Sequence, residues 1–357
     1  MEKIYLAGLH YIGFTHKKLF SIFKEKQNYK HIFENLNYVF LKENGFNSKQ
    51  IEIILERYKN INLDFLISKL EKRSARIITI FEVEYPDNLK NIANPPFLFY
   101  IRGKIDNSPK LAIIGARKIS SYGNKVIEEF SPDLVKYFCI VSGGAAGCDT
   151  KAHIEALKNN GKTIAIIGTG IDQDYPVGNE NLFGEIAELG GAIISIFPIG
   201  EVGNPYNFPV RNEIVAGLSR GILIVEAREK SGSLITAKLG LDLGKDLFAI
   251  PGDIFKWGSV GTNNLIKKSE AKLVLNSEDI LEEYNISNSN KSKNNKKIKF
   301  ADLLEENIFN TLILENLTID ELAKKLLENI STISFKLSMM EIEGKILKIS
   351  GGKYEIK

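Results

Sequence analysis

NFPVRNEIVAGLSRGILIVEAREKSGSLITAKLGLDLGKDLFAIPG, residues 207–252, reads as one complete helix, strand, helix and strand unit. Pro209 sits where a first helical turn tolerates a missing N–H, and the amphipathic run behind it ends near Leu218, ahead of Gly221. The run GILIVE, 221–226, is apolar until its last residue, as expected of a strand covered on both faces in a parallel sheet. The loop AREKSGS, 227–233, then carries two cations and leads straight into a helix over 234–243. Backbone N–H groups at that helix start, with Lys230 and the hydroxyls of Ser231 and Ser233 beside them, make an anion seat. DLFAI, 246–250, supplies a second buried strand, closed by Pro251-Gly252.

The same alternation runs back to residue 110 and predicts a doubly wound parallel sheet. LAIIG, 111–115, is its first strand and breaks at Gly115-Ala116-Arg117, a tight turn that exposes an arginine ahead of a helix over 123–137. FCIV, 138–141, leads into SGGAAGCD, 142–149. There Ser142, Gly143, Gly144, Gly147 and Asp149 let the backbone pass close to a ligand and present N–H groups to it, ahead of a helix that runs to Lys158. GKTIAIIG, 161–168, precedes the loop that holds Tyr175, and residues 191–196 repeat the theme. Ligands of such sheets bind outside the carboxyl ends of the strands, where strand order reverses. Arg117, Ser142, Gly143, Gly144, Tyr175, Arg211, Asn212 and Lys230 are therefore expected on one groove. A lone glycine turn more often only turns the chain, but several on one edge reverse that balance.

Composition bounds the class. With 357 residues, 44% hydrophobic and 25% charged, the chain has room for two to three soluble domains. No run is long enough to span a bilayer, and the start MEKIYLAGLHYIGF lacks the layout of a signal peptide, so the expected location is the cytoplasm. Cys139 and Cys148 are too few for a disulfide framework and have no zinc-ligand spacing, so free thiols and no metal or cofactor are expected. A net charge of +3 permits nucleic-acid binding without arguing for it.

The flanks read differently. Residues 1–75 suggest a small helical, SAM-like domain, and 76–284 the sheet domain, with strands expected at 77–81 and 97–101. The tract NISNSNKSKNNKKIK, 285–299, contains five lysines and reads as a linker. Residues 300–357 carry three helical patterns and a terminal hairpin, which suggests a winged helix. Lys336 is the sole cation in the third helical pattern, so a protein-contact or residual role is favoured there over DNA reading.

The motifs taken together resemble those of the DprA family, also called Smf. The resemblance lies in IIGARKISSYG (113–123), VSGGAAGCDTKAH (141–153), TIAIIGTGIDQDYP (163–176), NFPVRNEIVAGLS (207–219), VEAREKSGSLITA (225–237), FAIPG (248–252) and GTNNLI (261–266). It implies an extended Rossmann-like domain that binds single-stranded DNA, protects it from nucleases and loads the recombinase RecA in natural transformation. It also implies a homodimer and contact with single-stranded DNA-binding protein. On that resemblance Arg117 matches the arginine of the family's Gly-Ser-Arg turn and holds a phosphate. Gly115, Ser142 to Gly144, Tyr175, Arg211, Asn212, Lys230 and Ser231 line the same groove, while Thr262, Leu265 and Ile266 fall in the self-pairing segment. The chain departs from the pattern at Ala116, Gly144, Cys148, Glu213 and Val177, the last standing where the family often has a DNA-binding lysine.

Enzyme readings fit less well. The phosphoribohydrolase signature Pro-Gly-Gly-x-Gly-Thr is absent, since Pro251-Gly252 continues as Asp253-Ile-Phe. A nicotinamide dehydrogenase would need GxGxxG after the first strand and an acidic residue after the second. His153 lacks a nucleophile beside it and is expected to pack, and Asp149 is expected to cap the helix that follows it. No catalytic residue is assigned.

Overall fold

A computed structural model of the chain describes residues 2–23, 28–286 and 300–356. Two compact units are present, Met1–Ser287 and Asn288–Lys357. Most of the linker expected over 285–299, residues 287–299, lies outside the described residues.

The first unit opens with six helices: α1 (Lys3–Ile12), α2 (His16–Ile22), α3 (Tyr29–Glu34), α4 (Tyr38–Glu43), α5 (Ser48–Asn60) and α6 (Leu63–Lys72). Side-chain oxygens of Thr15, Asn28, Asn37, Asn47 and Asn62 cap α2 to α6, so the asparagine-rich composition serves helix starts. There follow β1 (Ala75–Thr79), α7 (Asp87–Lys90), β2 (Leu98–Gly103), β3 (Lys110–Ile114), α8 (Ser121–Leu134), β4 (Cys139–Ser142), α9 (Cys148–Lys158), β5 (Thr163–Ile166), α10 (Glu180–Glu188) and β6 (Ala192–Ser195). The unit ends with α11 (Asn207–Leu218), β7 (Gly221–Ile224), α12 (Gly232–Asp242), β8 (Asp246–Ala249), α13 (Val260–Lys267), β9 (Lys272–Leu273) and α14 (Glu278–Glu283).

Nine strands form one sheet in the order β1-β2-β6-β5-β4-β3-β7-β8-β9. β1 and β2 pair antiparallel at one edge, and every pair from β6 to β9 is parallel. The chain winds outward from β3 through β4 and β5 to β6, then crosses back to β7 on the other side of β3. Alternate residues of each strand enter different cores: Ala112 and Ile114 face α7, α11, α12 and α13, while Leu111 and Ile113 face α8, α9 and α14. On the latter face, the half beneath β1, β2, β5 and β6 is covered by α1 to α6 together with α10. There Leu6, Leu9, Phe14, Phe23, Leu66 and Leu70 share one core with Phe97, Tyr100, Ile167, Ile171 and Phe183. The helical segment at the start of the chain is thus packed on the sheet.

Two stretches differ from the sequence reading. Residues 258–264, whose polar composition reads as flexible chain, lie largely in α13. Thr262 Oγ1 donates to Ser259 O, and Gly261 packs so tightly on the Ala227–Arg228 backbone that a Cβ would lie 2.7 Å from Ala227 O. Helix α10, absent from the reading, forms over a segment whose Gly184 weakens the local signal; Phe183 and Ile186 anchor it in the core.

The second unit has α15 (Leu303–Leu314), β10 (Leu317–Thr318), α16 (Ile319–Leu326), α17 (Ile330–Ile342), β11 (Ile346–Lys348) and β12 (Lys353–Ile356), with strand order β10-β12-β11 and both pairs antiparallel. That is the element order of a winged helix. Thr318 and Glu321 close the capping box expected at α16.

Candidate nucleic-acid interface

A groove of about 750 Å³ opens at the carboxyl ends of the parallel strands, over the switch point where the chain leaves β3 on both sides. Each wall follows from a strand end. The turn after β3 contributes Gly115, Ala116, Arg117 and Lys118; the loop after β4 with the first turn of α9, Gly143, Ala145 and Asp149; the loop after β5, Tyr175. Helix α11 and its approach supply Phe208, Arg211 and Asn212, and the loop into α12 supplies Arg228, Lys230 and Ser231.

Arg117, Lys118, Arg228 and Lys230 are exposed around its rim, and none is ion-paired among the described residues. Phe208 stands at the centre, half-buried. The Arg117 guanidinium lies 5.2 Å from its ring centroid, that of Arg211 5.8 Å, and the Tyr175 ring 5.8 Å away at 41°. Tyr175 is 40% exposed, and one edge of its ring lies beside Gly203. Ser231 caps α12, accepting from Ser233 N, and its hydroxyl lies 2.6 Å from that of Ser233.

The floor is a different kind of structure. Arg211 is 5% exposed and donates to the carbonyls of Gly143 and Ile166, tying the ends of β4 and β5 to α11. Burial pushes its guanidinium down to about 10, with Asp149 opposing the shift and Arg117 adding to it. Asp149 does not cap α9: its Oδ2 accepts from the N–H groups of Gly143 and Ala145, at 3.1 and 3.3 Å, and so closes the glycine loop on itself. Burial raises its carboxyl above the ordinary range, opposed chiefly by the charge of Arg211. A Cβ on Gly143 would lie 2.6 Å from both Arg211 Cζ and Asp149 Oδ2, so glycine alone fits this wedge. Gly147, at φ +85°, brings α9 within reach of the Ala116 and Arg117 carbonyls.

The expected residues therefore divide. Gly115, Arg117, Gly143, Tyr175, Asn212, Lys230 and Ser231 line the groove, with Arg211 beneath it, and Gly144 lines a smaller adjoining recess. Ser142 does not reach it: fully buried, it donates to Ile113 O at 2.6 Å and ties β4 to β3. Thr262 and Leu265 are 1% and 7% exposed and pack within their own unit; Ile266 is half-buried. His153 packs as expected, its Nδ1 2.7 Å from Thr163 Oγ1 and its basicity pushed down to about 3 by burial. Residues the sequence reading passed over are Lys118 and Arg228 on the rim, and Asn179, which donates to Gly144 O and Thr150 Oγ1. Lys118 is next to Arg117 in sequence and Arg228 stands two residues before Lys230; nothing local signals Asn179. Among the described residues no group of three His, Cys, Asp or Glu is placed to hold a metal, and no helix is long and apolar enough to cross a membrane.

Comparison with known proteins bears on this arrangement. DNA processing protein DprA of Streptococcus pneumoniae is 40% identical over 234 residues, 65% of this chain and 82% of that protein. Protein Smf of Escherichia coli is 36% identical over 251 residues, 70% of this chain and 67% of its own. The crystal structure of the pneumococcal protein superposes with a TM-score of 0.66 at 34% identity, covering 78% of this chain and 97% of that one. A structure of DNA processing protein A from Helicobacter pylori, which addresses that protein's single-stranded DNA binding mode, gives a TM-score of 0.53 at 30% identity over 58% of this chain and 95% of its own. The family model of DNA recombination-mediator protein A matches residues 76–285, from β1 to the end of the sheet unit, and the chain belongs to that DprA/Smf family.

Proposed function

We propose that the groove holds single-stranded DNA by its phosphates. The observation that carries this is the rim: Arg117, Lys118, Arg228 and Lys230, exposed and unpaired, ring a groove whose one lining carboxylate among the described residues, Asp149, is buried and turned to backbone donors. Anion binding at a helix start, here that of α12, adds to the same field. Phe208 and the exposed face of Tyr175 offer rings to bases, which tolerates any sequence. The binding mode addressed in the Helicobacter pylori relative supports the choice of a single strand over a duplex.

On this proposal the chain acts by holding DNA and not by catalysis. The bound strand is shielded from nucleases and passed to RecA, with single-stranded DNA-binding protein as a further contact, in DNA uptake and recombination within the cytoplasm. Self-association belongs to the same reading. Since Thr262 and Leu265 are buried, the surface offered there is that of Ile266 with the exposed Leu273 and Leu275 beside the edge strand β9.

A fluorescence-anisotropy titration of labelled oligo-dT tests it, with duplex as comparator and at two salt concentrations. Four phosphate contacts give a slope of log affinity on log salt of roughly −3. Binding that prefers the single strand and drops in Arg117→Ala is the expected result. No single-strand binding even at low salt overturns the reading and leaves a small nucleotide as the ligand to test next.

A further inference from the structure

We propose that the helical layer at the start of the chain sets the position of the Tyr175 loop, with Arg73 as a positioning residue that acts through Asp174. The family model begins at residue 76, so it assigns nothing to Arg73 or to the helix before it. The proposal rests on reading the groove as a single-strand site.

The loop after β5 points its residues two ways. Tyr175 turns into the groove toward Phe208. Its neighbour Asp174 turns the other way, with a side chain 5% exposed, and meets Arg73 at 2.5 Å and Arg102 of β2 at 3.4 Å. Asp172 is pinned from the same side: Lys69 of α6 lies 3.4 Å from its carboxylate, Arg73 donates to its carbonyl at 3.2 Å, and Gly200 N donates to its Oδ1 at 2.7 Å. Between these two acids and β5, Ile171 is buried in the core shared with Leu66 and Leu70 of α6. The Gly200 contact also ties in the segment that carries Gly203, against which the Tyr175 ring rests.

The physical consequence follows from burial. Asp174 has two guanidinium partners and little solvent, so removing one leaves a carboxylate that water must reach, and the loop has to move to admit it. A glycine- and proline-flanked loop has no regular structure of its own to resist that movement. Tyr175 is one residue from the pin, so a shift of Asp174 is transmitted to the ring directly.

The experiment uses the full chain and a double-mutant cycle on oligo-dT affinity, with amide hydrogen exchange of residues 168–178 measured alongside without DNA. Arg73→Met is expected to weaken binding about fivefold and Tyr175→Ala by a similar factor, with the double variant no weaker than Tyr175→Ala alone. Arg73→Lys restores affinity, while Arg73→Met and Arg117→Ala multiply independently. Exchange of the loop amides rises about tenfold in Arg73→Met and stays unchanged in β4 and α9. If Arg73→Met does not fold, Lys69→Met and Asp174→Asn stand in for it. Multiplicative loss in the Arg73 and Tyr175 pair, or unaltered loop exchange, overturns the positioning role. Wild-type chain that ignores oligo-dT overturns the groove reading instead, and the exchange result then decides the positioning role alone.

Discussion

Arg117 and Arg211 approach the same phenyl ring, that of Phe208, to 5.2 and 5.8 Å, yet one is exposed to solvent and the other is 5% exposed. Arg117 stands on the rim with Lys118, Arg228 and Lys230, cations free to meet an anion. Arg211 belongs to the floor, where it bonds two carbonyls, and with Asp149 and Gly143 it fixes the shape of the loop after β4. The same residue type is thus left open to solvent in one place and used for architecture a few ångströms away, and burial decides which. An exposed guanidinium keeps its donors for a visitor, whereas a buried one must use them at home.

The largest effect expected from that division is on the floor. Arg211→Ala should lower unfolding free energy by about 3–5 kcal/mol, since it leaves Asp149 without its nearest cation and two buried carbonyls without a donor. Urea titration measures this, and a loss below about 1 kcal/mol would place Arg211 with the rim residues.

Acid should attack the floor next. His153 is fully buried beside Thr163, and burial holds it near 3 where an unfolded chain titrates near 6.5. Between those values the unfolded state binds a proton that the folded state refuses, so stability is intact above 6.5 and falls as pH drops. The slope is about 1.4 kcal/mol per pH unit from this one group. His16, pushed down to about 4, adds to it in the upper part of the window. Urea midpoints from pH 7 to 5 should therefore fall less steeply in His153→Gln than in the natural chain; equal slopes would remove His153 from the account.

On the rim the expectation reverses. Arg117→Ala should weaken oligo-dT binding about tenfold, the scale of one charge-assisted contact, and cut the salt slope by about 0.7. Its unfolding free energy should stay within about 0.5 kcal/mol of that of the natural chain, because no hydrogen bond or ion pair of the described residues is lost. A variant that loses stability and affinity together would dissolve the distinction between rim and floor.

The smallest effect is expected in the second unit. Helix α17 turns Phe335, Met339 and Ile342 outward, 64%, 40% and 80% exposed, and its one cation, Lys336, is paired with Asp302. Lys336→Ala should change oligo-dT affinity less than about twofold, in keeping with the small worth of a half-exposed pair. A larger loss would make this helix a second DNA contact and weaken the case for an apolar partner.

Much of the fold could be read directly from the chain because its signals are local. Apolar runs of strand length, glycine turns behind them and amphipathic helices repeat in order through residues 110–252, and that order alone calls for a doubly wound sheet. Arg117 was legible for the same reason, since the carboxyl end of a strand in such a sheet is a known address. Burial was not legible. Ser142 and Arg211 carry the same kind of motif as Arg117, but the first is consumed by a bond between neighbouring strands and the second by the carbonyls at two strand ends. Helix α13 forms from a polar, glycine-containing run because a backbone carbonyl well before it in the chain, that of Ala227, accepts from Gly261 N. The bond from Arg73 to the Asp172 carbonyl joins residues 99 positions apart, and the ion pair of Arg73 with Asp174 spans a similar length of chain. What the sequence determined by itself was the succession of elements and the edge on which its loops gather, both set by neighbours within a few residues. Which side chains on that edge face water was decided by tertiary structure alone, because exposure depends on what the rest of the chain packs against each of them.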